Sequence, residues 1–529
     1  MFLKKLSESF KSLSSLILSS NELISFQRDN LIIFNMASTV KSLAFGAKHT
    51  TQNLNKVNNQ NKKIQDGSMI FVVRNRTLVL VIASICTSAL QAAAFDKTGQ
   101  SVSAFLQPGN YFEASLGVTD TDLKGVESGT NPSHQSISDI ANTDYRPTAA
   151  LKFQLAPQYS FGLLYDQPFG ADTEYSGVNG FVATPKDTVM LPGITTTSLA
   201  NATSGQVPTG NAKSKFDIQS FSFIAGYQPN KNWNIFAGPV YQTFKSQVNL
   251  RGNVFSLYNG YDFQTKTVGD WGWLAGLAYQ IPEKAVKVSL TYRSAITHKV
   301  NATENAPLID MLTTQQGRDL VSQHLDYMIS IGQMTEQKKN YLNHIISELP
   351  NGEGSGPTKF KSPDSVNLEF QTGLRQGTLL FGSLRWVNWS DLALQPYRFG
   401  EISKVIGGLS TPSRPEGFNL VRYDDDQWAL NLGLGQRFSP KWLGSVSVGW
   451  DSGAGDKVST GGPTKGYYNL GVGAQYSPTS QYFISGGVKY YWLGDAKAQL
   501  GAQAGSDYYV GEFKDNHSIS YGLKIGYKF

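Results

Sequence analysis

The last twelve residues constrain this chain more than any other stretch. Ile519, Tyr521, Leu523, Ile525, Tyr527 and Phe529 fall on one face, and Ser518, Ser520, Gly522, Lys524, Gly526 and Lys528 on the other. Period two over a full strand, apolar on one side and small or polar on the other, describes a wall between two different solvents. Reading backwards, comparable segments recur near 482–492, 466–476, 442–451, 427–438, 378–390, 364–373, 286–299, 270–281, 233–248, 216–228, 159–167, 147–156 and 111–119. With the terminal strand these are fourteen, most of them at or above the ~9–11 residues that a tilted strand needs to cross a bilayer.

The connections sort by length. Short ones fall at 156–159, 228–232, 281–285, 375–377, 439–441 and 477–481. Long ones fall at about 120–146, 168–215, 249–269, 300–363, 391–426, 452–465 and 493–515. Short and long alternate throughout, as periplasmic turns and extracellular loops do in an outer-membrane barrel. A propeller or sandwich would also have many strands but no reason to separate turn lengths. The expected fold is all-β: a 14-stranded antiparallel transmembrane β-barrel over 111–529, both chain ends periplasmic. Trp233, Trp271, Trp273, Trp386, Trp389, Trp428, Trp442, Trp450 and Trp492 lie at strand ends, where interfacial girdles form.

Composition agrees where it bears on this. Charged residues make up 16 %, aromatics 12 %, and Gly is 52 of 529, with a mean hydropathy of −0.26. A helical membrane protein would show repeated apolar runs of ~20 residues. The single short run, 77–90, follows Arg74 and Arg76 and precedes Ala92-Ala93-Ala94, so 69–94 reads as a secretory signal peptide. Residues 1–68 carry no usable motif and read as a leader of unknown role or an over-long start. The first 94 residues hold 11 of the 46 basic and 4 of the 40 acidic residues, leaving 35 and 36. The basic pI belongs to the leader and gives no support for nucleic-acid binding. The one cysteine, Cys86, also falls in the signal, so the mature chain has no thiol for disulfide or metal chemistry.

Between Ala306 and Leu349 the period changes to three and four residues, with Leu308, Leu312, Leu325, Met328 and Ile329 among the repeating apolar positions. An amphipathic helical insert at about 305–350 is expected in the extracellular loops, its apolar face either packed on neighbouring loops or offered to a ligand. Inward parity on the early strands gives Leu164, Ile218, Ile224, Phe236, Val240 and Leu274, which are apolar where an open aqueous pore would be wet. They line a hydrophobic route or pack against a plug. Arg293 and Arg385 share the inward parity and suit a fatty-acid carboxylate, or else pair with lumen acids such as Glu369. Pro239 within a strand removes a ladder donor and favours a bulge, ordinary or serving a lateral opening.

The segment Phe95–Asn110 (FDKTGQSVSAFLQPGN), Gly162–Gly170 (GLLYDQPFG) and Val387–Ser390 (VNWS) resemble, in that order, the FadL-type long-chain fatty-acid transporters. The resemblance runs over essentially the whole mature chain. It implies passive uptake of hydrophobic compounds, with docking between extracellular loops, an N-terminal hatch (95–110) in the lumen and lateral exit through the wall. The implied ligand contacts are Phe95, Phe105, Leu106 and Pro108 in the hatch. The usual hatch is longer and carries Asn-Pro-Ala; here about sixteen residues precede the first strand, and Asn131-Pro132-Ser133 comes too late. A chain end on Phe529 resembles the signal read by the barrel-assembly machinery. Expected partners are therefore a long-chain fatty acid or other hydrophobic molecule, outer-membrane lipid and lipopolysaccharide, and that machinery, with the barrel a monomer and no cofactor or metal. Other readings are a non-specific porin, an alkane or aromatic-hydrocarbon channel, an adhesin, and a lipid hydrolase. The last lacks G-x-S-x-G and H-E-x-x-H, and none of the five mature histidines sits beside a nucleophile motif.

Overall fold

The structure, a computed structural model, describes residues 96–529 apart from 132, 185–188, 192, 351–355 and 409–412. The leader, the signal segment and Phe95 lie outside the described residues. Fourteen strands form the wall: β1 (Tyr111–Asp122), β2 (Asp144–Ala156), β3 (Tyr159–Asp166, continuing as Gly170–Glu174), β4 (Lys213–Tyr227), β5 (Trp233–Asn249), β6 (Val268–Ile281, preceded by Asp262–Thr265) and β7 (Val286–Arg293, continuing as Ile296–Asn305). There follow β8 (Ser365–Arg375, preceded by Pro357–Ser362), β9 (Thr378–Val387), β10 (Gln427–Arg437), β11 (Trp442–Asp451), β12 (Tyr467–Tyr476), β13 (Tyr482–Leu493) and β14 (His517–Lys528). Each pairs antiparallel with the next, and β1 closes the ring on β14 in unbroken register from Tyr111–Lys528 to Asp122–His517. Closure leaves no edge whose backbone groups would face lipid unpaired.

The alternation does what the sequence demands. On β14, Ser518 and Ser520 are buried in the lumen, whereas Tyr521, Leu523 and Ile525 are about half exposed on the outside. Outward aromatics form two belts. At the turn end Trp233 meets Tyr279 (4.9 Å), Trp442 meets Tyr476 (4.8 Å) and Tyr159 meets Tyr227 (5.4 Å). At the loop end Trp271 meets Tyr241 (5.0 Å) and Trp273 meets Tyr292 (5.2 Å), with Trp386, Trp428, Trp450 and Trp492 on the other side. Trp442 and Trp450 are eight residues apart on β11, which is ~27 Å of strand and ~20 Å of height after tilt, near the ~25 Å apolar band of such barrels. Trp389 does not join the belt. β9 ends at Val387, and a 3-10 turn from Trp389 to Asp391 swings the indole inward, fully buried against Phe169 and Tyr423.

Several strands outrun the sequence pattern. The second segments of β3, β6, β7 and β8, with the top of β4 and β5, rise past the loop-end belt, whereas β9 to β13 stop at it. Outward residues on these extensions are polar or charged, such as Lys213, Lys215, Asp172 and Glu174, so apolar alternation gives no sign of them. Pro239 makes no bulge. Ser222 pairs with Val240 and Ala225 with Ala237, three residues apart on each strand, so the ladder is interrupted without a register shift. Gly238 permits this, because a Cβ there would lie 1.7 Å from the Phe223 carbonyl oxygen.

The loops cover the mouth. Three of them contribute a five-stranded cap sheet of Gly125–Glu127, Ser136–Ile137, Lys457–Ser459, Ala496–Gln499 and Gly511–Phe513. The segment 120–146 is thus part of the cap. Helix α1 (Thr196–Thr203) precedes the insert, which forms α2 (Pro307–Thr313), α3 (Gln315–Ser330) and α4 (Glu336–Glu348); α5 (Tyr397–Gly408) lies in the next long loop. Thr314 and Thr335 cap α3 and α4 through their side-chain oxygens.

Val472 lies outward midway between the belts on β12 and is 56 % exposed. Val472→Arg should destabilise the barrel by about 2–4 kcal/mol in a denaturant titration in lipid vesicles. An unchanged midpoint would mean that this face does not meet lipid.

Candidate functional site

Residues 96–110 run through the lumen and are held by opposite walls. Gly99 and Gln100 both take left-handed backbone (φ 65° and 53°), so the segment doubles back there. The Arg385 guanidinium on β9 grips Asp96 through Nε and Nη2 (2.7 and 3.3 Å) and also donates to Gly99 O (3.2 Å), Gln100 Oε1 (3.0 Å) and Asn367 (2.7 Å). Arg293 donates to Gln100 O (3.3 Å) and to Ser222 (2.9 Å). From the other wall, Asp144 takes Lys97 at 2.6 Å and Arg146 at 3.1 Å. Ser101 donates to Glu369 at 2.5 Å. Lower down, Lys287 and Lys152 donate to the carbonyls of Leu106 and Gln107, each at 2.5 Å. Buried charges persist only when paired in this way.

Below the charged collar the plug is apolar. Val102, Ala104, Phe105 and Leu106 form one buried cluster with Leu164, Ile224, Phe236, Val240, Leu274 and Ile296 of the wall. Phe105 stacks obliquely on Phe236 (5.7 Å). It also occupies a slot made by two glycines: a Cβ at Gly162 or Gly226 would lie 2.5 or 2.7 Å from its ring.

Besides the break at Pro239, the wall is interrupted behind this plug between β2 and β3. The β2–β3 ladder runs from Ala156–Tyr159 up to Ala149–Tyr165. Above it, Asp144–Thr148 pair with β1 and Gly170–Glu174 with β4, and contact between the two neighbours resumes only at the Ala141–Thr173 bridge. The plug covers the gap from inside. Lys97 N donates to Pro168 O (2.7 Å), Asp96 bridges Phe169, and Thr98 approaches Asp166 (3.5 Å). A cavity of about 100 Å³ adjoins it, lined by Thr98, Ser101, Thr148, Ala149, Tyr165 and Asp166 among others. A second of about 40 Å³ lies between Asp96, Glu369, Arg385 and Asp451.

Above the collar the mouth is filled by aromatic side chains. Phe169 meets Trp389 at 5.2 Å, Phe244 stacks on Phe360 at 4.2 Å, and Tyr258 stacks on Phe399 at 4.4 Å, all within one buried cluster that reaches the cap. Glu304 anchors it by accepting from the Arg398 and Phe399 amides at the start of α5 and from the Tyr261 hydroxyl (2.7 Å). Burial first, and the Glu304 carboxylate second, push the Tyr258 and Tyr261 hydroxyls well above the usual phenol range. A cavity of about 30 Å³ lies beside this cluster, against Tyr175, Val248, Leu250, Phe255 and Leu420. Ligand pockets are usually ~300–1,000 Å³, so this one is too small to hold a ligand in this conformation.

The sequence-derived site residues fall into three groups. Phe105, Leu106, Phe236, Val240 and Leu274 come together around the plug, while Pro108 is exposed at its turn-end edge. Arg293 and Arg385 lie just above, both on the plug. Leu308, Leu312 and Leu325 pack with Leu199, Val321 and Ile346 in a cluster of their own, with Met328 and Ile329 half-buried on α3. Of the mouth aromatics, Trp389 is expected from the sequence in the outer belt and Phe169 only as part of the Gly162–Gly170 motif; for Phe244 and Phe360 the sequence signal is inward parity on their strands, and Tyr258 and Phe399 have none. Arg385→Ala should leave Asp96 a buried unpaired carboxylate, worth about 3–5 kcal/mol. The plug should then become accessible to protease in detergent micelles while the barrel keeps its heat-modifiable mobility; equal protection in both proteins would refute its role as the tether.

No protein-family model matches the sequence, and no curated protein matches it. Solved structures do. A Pseudomonas aeruginosa FadL homologue superposes with TM-score 0.55 at 12 % identity, over 84 % of this chain and 98 % of its own. The Ralstonia pickettii toluene transporter TbuX gives 0.46 at 12 % over 87 % and 100 %, and the Pseudomonas putida toluene transporter TodX 0.47 at 11 % over 84 % and 96 %. Closed fourteen-strand ring, lumenal N-terminal segment and looped mouth together give this chain the FadL-type fold.

Proposed function

We propose that the protein carries hydrophobic compounds passively across a bacterial outer membrane, with long-chain fatty acids first among them. The observation that carries this reading is the buried aromatic cluster that fills the mouth, where a porin for polar solutes would need a wet, charge-lined constriction. Loops face the outside and short turns the periplasm. A ligand enters among the mouth aromatics, which part to admit it, and meets the collar formed by Asp96, Lys97, Asp144, Arg146 and Arg385.

The collar favours an acid over a neutral hydrocarbon. The Asp96 carboxylate occupies Arg385 in the closed state, and a fatty-acid carboxylate offers that guanidinium the same bidentate bond. Exchange of one carboxylate for the other releases the plug from β9 at little electrostatic cost, which a hydrocarbon cannot do. The freed segment uncovers the gap between β2 and β3, and the ligand leaves sideways into the membrane. An alkane or aromatic-hydrocarbon channel is the second reading, favoured by the aromatic cluster of the mouth.

Oleate binding by the refolded mature chain, set beside conductance in a planar bilayer, tests this. Saturable oleate binding with little steady current is expected, with Arg385→Ala weakening oleate by about tenfold or more and leaving toluene unchanged. Large open-channel conductance without oleate binding would replace the transporter reading by a porin. Toluene binding with no oleate binding would favour the hydrocarbon channel.

A further inference from the structure

The outer surface of the barrel carries a second chemistry, independent of what passes through the lumen. Lys245 on β5, Lys266 between the two segments of β6, Lys299 on β7 and Lys359 on β8 are all exposed on the outward face of four neighbouring strands. Lys299 and Lys359 are direct cross-strand partners. Lys266 follows Thr265, the partner of Ala302, which sets it diagonal to Lys299. Lys245 faces the break at Lys266-Thr267, between the Phe244–Val268 and Gln247–Gln264 pairs. Like charges placed directly opposite destabilise a sheet, and this row concentrates four.

None of the four has an ion-pair partner among the described residues. Lys213, Lys215 and Lys361 on the same outer surface each hold a carboxylate, at 3.4, 2.5 and 3.0 Å. Three acids lie nearby: Asp217 opposite Lys245, Asp391 on Lys361, and Asp364 against the Tyr292 hydroxyl (3.4 Å). The row also has a defined height. Lys245 stands four residues above Tyr241 on the same face of β5, just beyond the aromatic ledge of Tyr241, Trp271, Trp273 and Tyr292. Amphipathic rings of this kind sit at the level of lipid headgroups, and lysines immediately above them meet the headgroup anions. Three inter-strand steps of ~4.8 Å make the row ~14 Å wide, which suits a sugar headgroup phosphorylated at both ends better than a single phosphate.

We propose that Lys245, Lys266, Lys299 and Lys359 bind the phosphates of a phosphorylated glycolipid in the loop-side leaflet, with its acyl chains laid along Tyr241, Trp271, Trp273 and Tyr292. The bound anions offset the repulsion between Lys299 and Lys359. Native mass spectrometry of the full mature chain in detergent, with bis-phosphorylated lipid A and with phosphatidylethanolamine as probes, tests the site. The double variant K299S/K359S should lose about thirtyfold in lipid A affinity and nothing in phosphatidylethanolamine retention. Without lipid the variant should unfold at the same or a higher temperature than wild type, since the like-charge pair is gone. Equal retention of lipid A by both folded proteins would overturn the proposal. So would displacement of lipid A by equimolar inorganic pyrophosphate, which would make this a site for soluble anions. Should K299S/K359S not refold, K245S/K266S gives the same comparison on the other half of the row.

Discussion

Backbone amides and carbonyls have no partner in lipid, and the rest of this structure follows from that constraint. Once the strands must pair with each other, they close into a ring through β1 and β14, and the chain entering at β1 is left at the lumen. Apolar side chains then turn outward, the reverse of a soluble protein. The lumen becomes the place where polar groups collect, and it would be an open pore unless something filled it. Fifteen described residues ahead of β1 do so, and their own backbone groups must be met in turn. Arginine, lysine and asparagine side chains of the wall meet them, which is why Arg385, Asn367, Lys152 and Lys287 all donate to carbonyls of that segment.

The plug is held by two kinds of force with different responses to a hydrophobic ligand. Phe105 and its neighbours are held by burial, which an incoming apolar chain can replace at little cost. Asp96 and Lys97 are held by charge, and removing either partner of a buried ion pair is far more costly than exchanging it. On the proposed function, a ligand with both an apolar tail and a carboxylate would match both kinds of contact at once. The small cavities beside Asp166 and Glu369 show where the segment fits the wall least closely, the first on the side where β2 and β3 part and the second against β8 to β12.

Much of this was legible in the sequence. Strand number, antiparallel order and closure followed from period-two alternation and from the two classes of connection, because both are imposed by the bilayer. The inward apolar residues around Phe236 and Leu274 were legible by parity for the same reason. The helical insert was legible by its change of period, but its apolar face turned out to pack on itself and on α1. The strand extensions were not legible, since both faces there avoid lipid and the alternation loses its meaning. Trp389 was misplaced because a strand end and the turn after it look alike in sequence while pointing opposite ways. The gap between β2 and β3 left only Pro168 and Gly170 as a trace, and no local pattern tells a pause in pairing from an ordinary kink.

The unequal heights of the strands give the barrel a lopsided lip. On one flank the wall of β4 to β8 climbs well past the membrane surface; Asn249 stands eight residues beyond Tyr241. On the other flank β9 to β13 finish level with the aromatic belt, and beyond them come the cap sheet and the β9–β10 loop with its helix α5. The rim of the wall is therefore tipped toward the low side. Under the proposed uptake, a greasy molecule among the lipid headgroups faces that low rim, while the tall flank presents charged side chains to water. The cap sheet is built from loop segments and is paired separately from the ring, so the cylinder beneath closes on its own ladder without it.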